Sequence, residues 1–150
     1  MKKTEQQKIL ETMLYSGQII AGGFMGTDKR PLDQMISDDL AILEQLKITP
    51  QQLAEKMAQI TELAKDQLGN PKIINENLTA SVEDYRGQIT CPWPHPCGFR
   101  KRITTATNPN TNETIQWTDL SIHMIAEHNF FEGKGSPYRI EPEIFANMIF

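Results

Sequence analysis

Apolar residues recur at helical spacing through the first half of the chain, with an apolar side chain every three or four positions. The pattern predicts a helix over residues 3–15 and another over 32–47. A third is predicted to start at Pro50, capped by Thr49 with Gln52 at the capping-box position, and to stop at Gly69. We expect the three apolar stripes to bury one another. Their members are Ile9, Leu10, Met13 and Leu14; Leu32, Met35, Ile36, Leu40, Leu43 and Leu46; and Leu53, Met57, Ile60, Leu63, Ala64 and Leu68.

After residue 80 the pattern changes to one typical of strands. Residues 82–90 and 99–107 are predicted strands, and the turn residues of 108–113 lead into a return strand over 114–118. Thr118 or Asp119 is predicted to cap a helix running to about Phe131, and Glu141-Pro142 to open a last short helix.

These elements predict an α+β fold in which a layer of three N-terminal helices packs on a C-terminal unit of a β-hairpin and a helix. With 150 residues we expect one domain, 1–150, with a helical subregion 1–70 and a hairpin-helix subregion 80–150.

Net charge and hydropathy limit the partners and the location that we expect for the protein. The net charge is −4, so no overall field draws the chain to nucleic acid or to an anionic membrane. Basic residues near the start are followed by no apolar signal segment, and no run approaches the length of a membrane span. We therefore expect a cytoplasmic protein without a membrane partner, in a compartment where a cysteine pair more often binds metal than forms a disulfide.

Both cysteines of the chain lie in one proline-rich stretch, ITCPWPHPCGFRKRI, residues 89–103. Five residues separate Cys91 from Cys97, and four separate His123 from His128 on the predicted helix. Thiolate sulfur and imidazole nitrogen are the ligands of tetrahedral zinc sites. We therefore predict a Zn²⁺ site of Cys91, Cys97, His123 and His128, with His95 as an alternative ligand. Two thiols without metal, or a disulfide, are the other interpretations of the pair.

The order of cysteine pair, hairpin and helical histidine pair resembles an enlarged C2H2-type ββα zinc finger. The 25 residues between Cys97 and His123 are about twice the usual interval. On a regular helix His123 and His128 point about 140° apart, so their convergence requires a distorted last turn.

Four protein ligands make a closed, structural zinc site, which is the arrangement we expect. Three ligands and a water would leave an open site in which Glu127, between the histidines, serves as general base of a metal-dependent hydrolase. Such an enzyme is the alternative function.

Basic residues near the cysteines suggest a way to bind anions. Arg100, Lys101 and Arg102 form a run on the predicted strand, and the glycine-rich turn EGKGS places Lys134 near Arg139. These five residues are candidates for binding phosphates or nucleic acid, with a solvated strand edge and a plain turn as the structural alternatives.

Residues 115–142, together with CPWPHPCGFRKRI, resemble a group of uncharacterised bacterial proteins. The resemblance covers about the last sixty residues, implies a bacterial source and brings no activity. We expect a binding module for a nucleic-acid or protein partner, organised by the metal site.

Overall fold

The structure is a computed structural model, and residues 24–93 and 98–150 are described. The described residues form four helices and four strands. They are α1 (Leu32–Leu46), α2 (Pro50–Ala64), β1 (Lys72–Asn75), β2 (Leu78–Ile89), β3 (Phe99–Thr107), β4 (Thr114–Thr118), α3 (Asp119–His128) and α4 (Pro142–Ile149). The α+β class is confirmed. The predicted helix over residues 3–15 lies outside the described residues.

The four strands form one antiparallel sheet in the order β1-β2-β3-β4. The predicted hairpin of β3 and β4 is confirmed, with Thr107 opposite Thr114 and Ile103 opposite Thr118. β2 is longer than predicted and pairs with β3 as far as Ile89 opposite Phe99, with a register shift between Tyr85 and Gln88. This pairing brings the chain that follows β2 to the start of β3. β1 was not predicted, because its four residues are few and their two apolar side chains are adjacent, so they give no alternating signal.

The main core lies between α2 and one face of the sheet. Trp117 of β4 is fully buried there, and its indole Nε1 donates a hydrogen bond to Thr61 Oγ1 of α2 at 3.0 Å. The Thr61 hydroxyl also lies 2.7 Å from that of Thr104 on β3. These buried polar groups are therefore all paired, and they hold α2 in one register on the sheet.

Each helix packs mainly on an element from the other half of the chain. α1 packs against α4, and α2 packs against α3 and β2. For the two predicted stripes that the structure describes, those of α1 and α2, this corrects the expectation that they chiefly bury one another. The sequence pattern shows which face of a helix is apolar, but not which surface will cover it.

α2 ends at Ala64, five residues before the predicted stop at Gly69. Leu68 has a left-handed φ of 53° and is 95% exposed, and Leu63 is half exposed. Both were predicted to belong to the buried stripe. Leu63 lies inside α2 but is half exposed, and Leu68 lies beyond the end of the helix, so helical spacing alone extended both the buried stripe and the helix too far.

A second apolar cluster positions the predicted metal site. It joins Phe24 and Met25, the start of α1, and α3, with Ile89 and Cys91 from the end of β2. Its members are Phe24, Met25, Leu32, Met35, Ile89, Cys91, Leu120, Met124 and Phe130. Cys91 is therefore packed against the helix that carries both candidate histidines. Across the described residues, no helix is both long enough and apolar enough to cross a membrane.

Candidate metal centre

The start of α3 is fixed by two sets of polar contacts. Thr118 caps the helix, with its side chain accepting from the Ser121 N–H while the Ser121 hydroxyl accepts from the Thr118 N–H. At the same end, Arg102 of β3 pairs with Asp119 at 2.9 Å, and both side chains are largely buried. The helix axis is thus held against β3 before the chain reaches the histidines.

The end of α3 has the distortion that converging histidines require. Asn129 adopts a left-handed φ of 55°, and the N–H groups of Asn129 and Phe130 both donate to the Met124 carbonyl. These bonds span five and six residues instead of four, so the closing turn is wider than an α-helical turn. A wider turn reduces the angle between positions five apart. The rings of His123 and His128 accordingly lie 5.1 Å apart between centroids.

Cys91 completes a three-residue group with these histidines. Its Sγ lies 3.6 Å from His128 Nε2, and the ligand atoms of Cys91, His123 and His128 all lie within 4.8 Å of one another. Tetrahedral zinc has Zn–S bonds of about 2.3 Å and Zn–N bonds of about 2.0–2.1 Å, which places sulfur and nitrogen about 3.6 Å apart. The three residues therefore form a cluster that could hold a metal ion.

Two aromatic side chains hold the histidine rings. Trp93 stacks on His128 with centroids 4.2 Å apart and planes 5° from parallel, and it also contacts Phe130. Phe99 packs against His123 at 4.6 Å. Sequence reasoning missed both roles. The only signal was that Trp93 and Phe99 each follow a cysteine by two positions, which no spacing rule connects to a histidine on a distant helix.

The other predicted site residues are not members of this three-residue group. Cys97 and His95 lie outside the described residues, so their participation stays a prediction. Glu127 is exposed and is not a member of the Cys91, His123 and His128 group. It lines, with His123, a cleft of about 350 Å³ between α2, α3 and β3.

The predicted anion-binding arginines are engaged in ion pairs within the protein. Arg100 pairs with Asp84 across the β2–β3 ladder, and Arg102 pairs with Asp119. The Arg139 side chain is only 6% exposed and binds Asp39 of α1 at 2.6 Å. Sequence reasoning missed these pairs because the partners are distant along the chain, by 100 residues in the last case. Lys101 is exposed on β3.

The N–H groups of the glycine-rich turn at Lys134 also bind acceptors within the protein. The Lys134 N–H donates to the Asp28 carboxylate at 3.2 Å, and the Gly133 N–H donates to the Phe24 carbonyl. Hydrogen bonds from Arg30 hold the pKa of Asp28 well below its usual range, so this carboxylate is charged at neutral pH. Asp28 therefore occupies the position at this turn that an external anion would take.

Comparisons with known proteins add no relative: no protein-family model, curated protein or solved structure matches this chain. The resemblances to a zinc finger and to bacterial proteins therefore stay predictions.

The stacking of Trp93 on His128 gives an optical test of the cluster. We expect Co²⁺ binding to quench Trp93 emission strongly, because a paramagnetic ion bound by His128 lies in contact distance of the stacked indole. The chain has two tryptophans, and Trp93→Phe leaves only Trp117 in the core. That variant should bind Co²⁺ with much weaker quenching. Stoichiometric Co²⁺ binding that leaves wild-type emission unchanged would place the ion elsewhere.

Proposed function

We propose that this chain is a zinc protein in which a closed, structural centre of Cys91, Cys97, His123 and His128 stabilises a binding module. The observation that carries the proposal is the separation of 3.6 Å between Cys91 Sγ and His128 Nε2, the value for two ligands of one tetrahedral zinc ion. Sulfur with imidazole nitrogen suits Zn²⁺ better than Mg²⁺ or Ca²⁺, which prefer oxygen. Zinc bound there would tie the end of β2 to α3.

A structural centre accounts for the surroundings of the cluster. Cys91 is 7% exposed and belongs to the second apolar cluster, while Trp93 and Phe99 pack on the two imidazoles. Such packing holds side chains in one orientation and limits access of water. Cys97 supplies the fourth ligand in this proposal, since it follows Cys91 on the same proline-rich connection between β2 and β3.

The partner we propose for the module is a protein. Arg100 and Arg102 are neutralised by Asp84 and Asp119, which leaves few charges to bind a phosphate backbone. Large apolar side chains are exposed at Leu68 and Ile73, and apolar surface suits a protein partner better than a phosphate backbone. Salt-sensitive binding of DNA or RNA at low ionic strength would favour the nucleic-acid version instead.

The test of the centre is its metal content and ligand set. Protein purified without a histidine tag should hold one zinc per chain, and the Co²⁺ form should show thiolate charge-transfer absorption. Cys97→Ser should lower that absorption by about half if two thiolates bind. It should also make the C-terminal half more sensitive to limited proteolysis while the helical half stays resistant. Less than one tenth of a zinc per chain, after incubation with excess zinc, would contradict the proposal.

One observation favours a second candidate, a metal-dependent hydrolase. Glu127 and His123 line the same cleft, so a carboxylate that could accept a proton lies beside a candidate metal ligand. When bound, zinc would supply Lewis acidity there. The number of protein ligands separates the candidates: four support the structural centre, and three with one oxygen from water support the enzyme.

A further inference from the structure

We propose that the cleft between α2, α3 and β3 binds an organic cation, an ammonium or guanidinium group carried on an apolar body. The cleft has a volume of about 350 Å³, within the range of sites for small ligands. Residues of the protein alone form the cleft, without a metal ion. The inference therefore goes beyond the zinc proposal and does not depend on it.

The walls of the cleft suit an apolar body of about one ring. Phe99 from β3, Ile122 and Ala126 from α3, and Ala58 from α2 supply its apolar surface. Phe99 also packs on His123, which holds its ring in place. An aromatic ring of this kind offers its face to an apolar group or to a cation.

The charges of the cleft favour a cation over an anion. Glu62 of α2 and Glu127 of α3 lie on opposite helices along its edge, and both are exposed. Among the residues that line the cleft, Arg102 carries the only fixed positive charge, and it is bound by Asp119 through both Nε and an Nη atom. An anion would meet two carboxylates with no cation to pair with, whereas an ammonium group would have two acceptors.

The pair of Glu62 with Lys65 does not close this site. It is a surface ion pair at 2.7 Å, with side chains 39% and 58% exposed for Lys65 and Glu62. Exposed pairs of this kind contribute little to stability, so a ligand cation can replace the Lys65 ammonium at little cost.

Two sources of this chemistry are possible, and one titration separates them. The zinc-saturated, ¹⁵N-labelled chain is titrated with phenethylamine, as a free amine, and with the blocked dipeptide acetyl-phenylalanyl-arginine amide, as a model of a partner's side chain. The neutral 2-phenylethanol is the matched control ligand. We expect shifts of the amide signals of Ala58, Ile122 and Ala126, and dissociation constants for the cations about tenfold below that of the alcohol. The cation with the lower dissociation constant shows whether the cleft takes a free amine or a side chain of a partner.

Variants test the carboxylates. The double substitution Glu62→Gln with Glu127→Gln should weaken binding of the cations about fivefold or more, while Glu143→Gln on α4 should have no effect. Zinc is measured in every variant, so loss of the metal is distinguished from loss of the cleft. Equal affinity for amine and alcohol, shifts confined to other surfaces, or no shift up to about 10 mM ligand would overturn the proposal.

Discussion

Removal of zinc should lower the free energy of unfolding by about 4 kcal/mol, if the starting sample contains free zinc at about a thousand times its dissociation constant. The reason is that the proposed centre exists only in the folded chain. Cys91 lies just after β2 and the two histidines lie on α3, so they meet only when α3 packs on the sheet. Binding free energy is then folding free energy. Denaturant unfolding with zinc and with a chelator measures the difference.

His128→Ala should abolish most of this zinc dependence. The substitution removes a proposed ligand and the ring that stacks on Trp93, so a modest loss of stability without zinc is also expected. The matched control is His95→Ala, since His95 is only the alternative ligand and the chain has three histidines. That variant should keep one zinc per chain and its full stabilisation. A His128→Ala protein that retains both would show that the imidazole is not a ligand.

Local patterns in the sequence predicted the elements whose ends are marked by capping or turn residues. Thr49 and Pro50 mark the start of α2 and the capping box is present, and Asn, Pro and Thr residues separate β3 from β4 as predicted. The end of α2 and the partners of α1 depend on surfaces brought together by the fold. Those features were predicted wrongly because no local residue encodes them.

The candidate metal cluster was partly predictable because ligand chemistry limits which residues can take part. Cysteine and histidine spacing identified Cys91, His123 and His128, and the required distortion of the last helical turn is present at Met124. The ion pairs of the arginines were not predictable, since they join residues far apart in the chain. A basic run therefore indicated a binding surface, although opposite charges from other strands and helices neutralise two of its members.

Glu132 is a buried acid that sequence reasoning missed, and it is expected to make stability depend on pH. It is 2% exposed and lies just after α3, with its carboxylate accepting from Ser136 Oγ at 2.7 Å and facing Ser121 Oγ at 3.4 Å. Burial raises the pKa of Glu132 from 4.5 to about 7, although the two serines and Arg139 act in the opposite direction. The charged groups nearby are Arg139, which donates to the Glu132 carbonyl, and Asp39 of α1, which pairs with Arg139.

Proton linkage gives the direction in which stability changes with pH. Because the pKa is higher in the folded than in the unfolded chain, the folded state binds the proton more tightly. The stabilisation from this group is complete below about pH 4.5, and it is lost as the pH rises through about 7. A difference of about 2.5 pKa units corresponds to about 3 kcal/mol.

Glu132→Gln should remove this dependence, because glutamine is of similar size, stays neutral and can still bond both serine hydroxyls. We expect the difference in unfolding free energy between the variant and wild type to shift by about 2.5 kcal/mol in favour of the variant from pH 5 to pH 8.5, since part of the change lies below pH 5. Comparing the two proteins at each pH, with excess zinc, cancels any titration of the metal ligands that they share. Glu76→Gln, at an exposed position between β1 and β2, should show no such shift. A constant difference between Glu132→Gln and wild type across this range would mean that Glu132 is charged in the fold at both pH values, with the serines and Arg139 outweighing its burial.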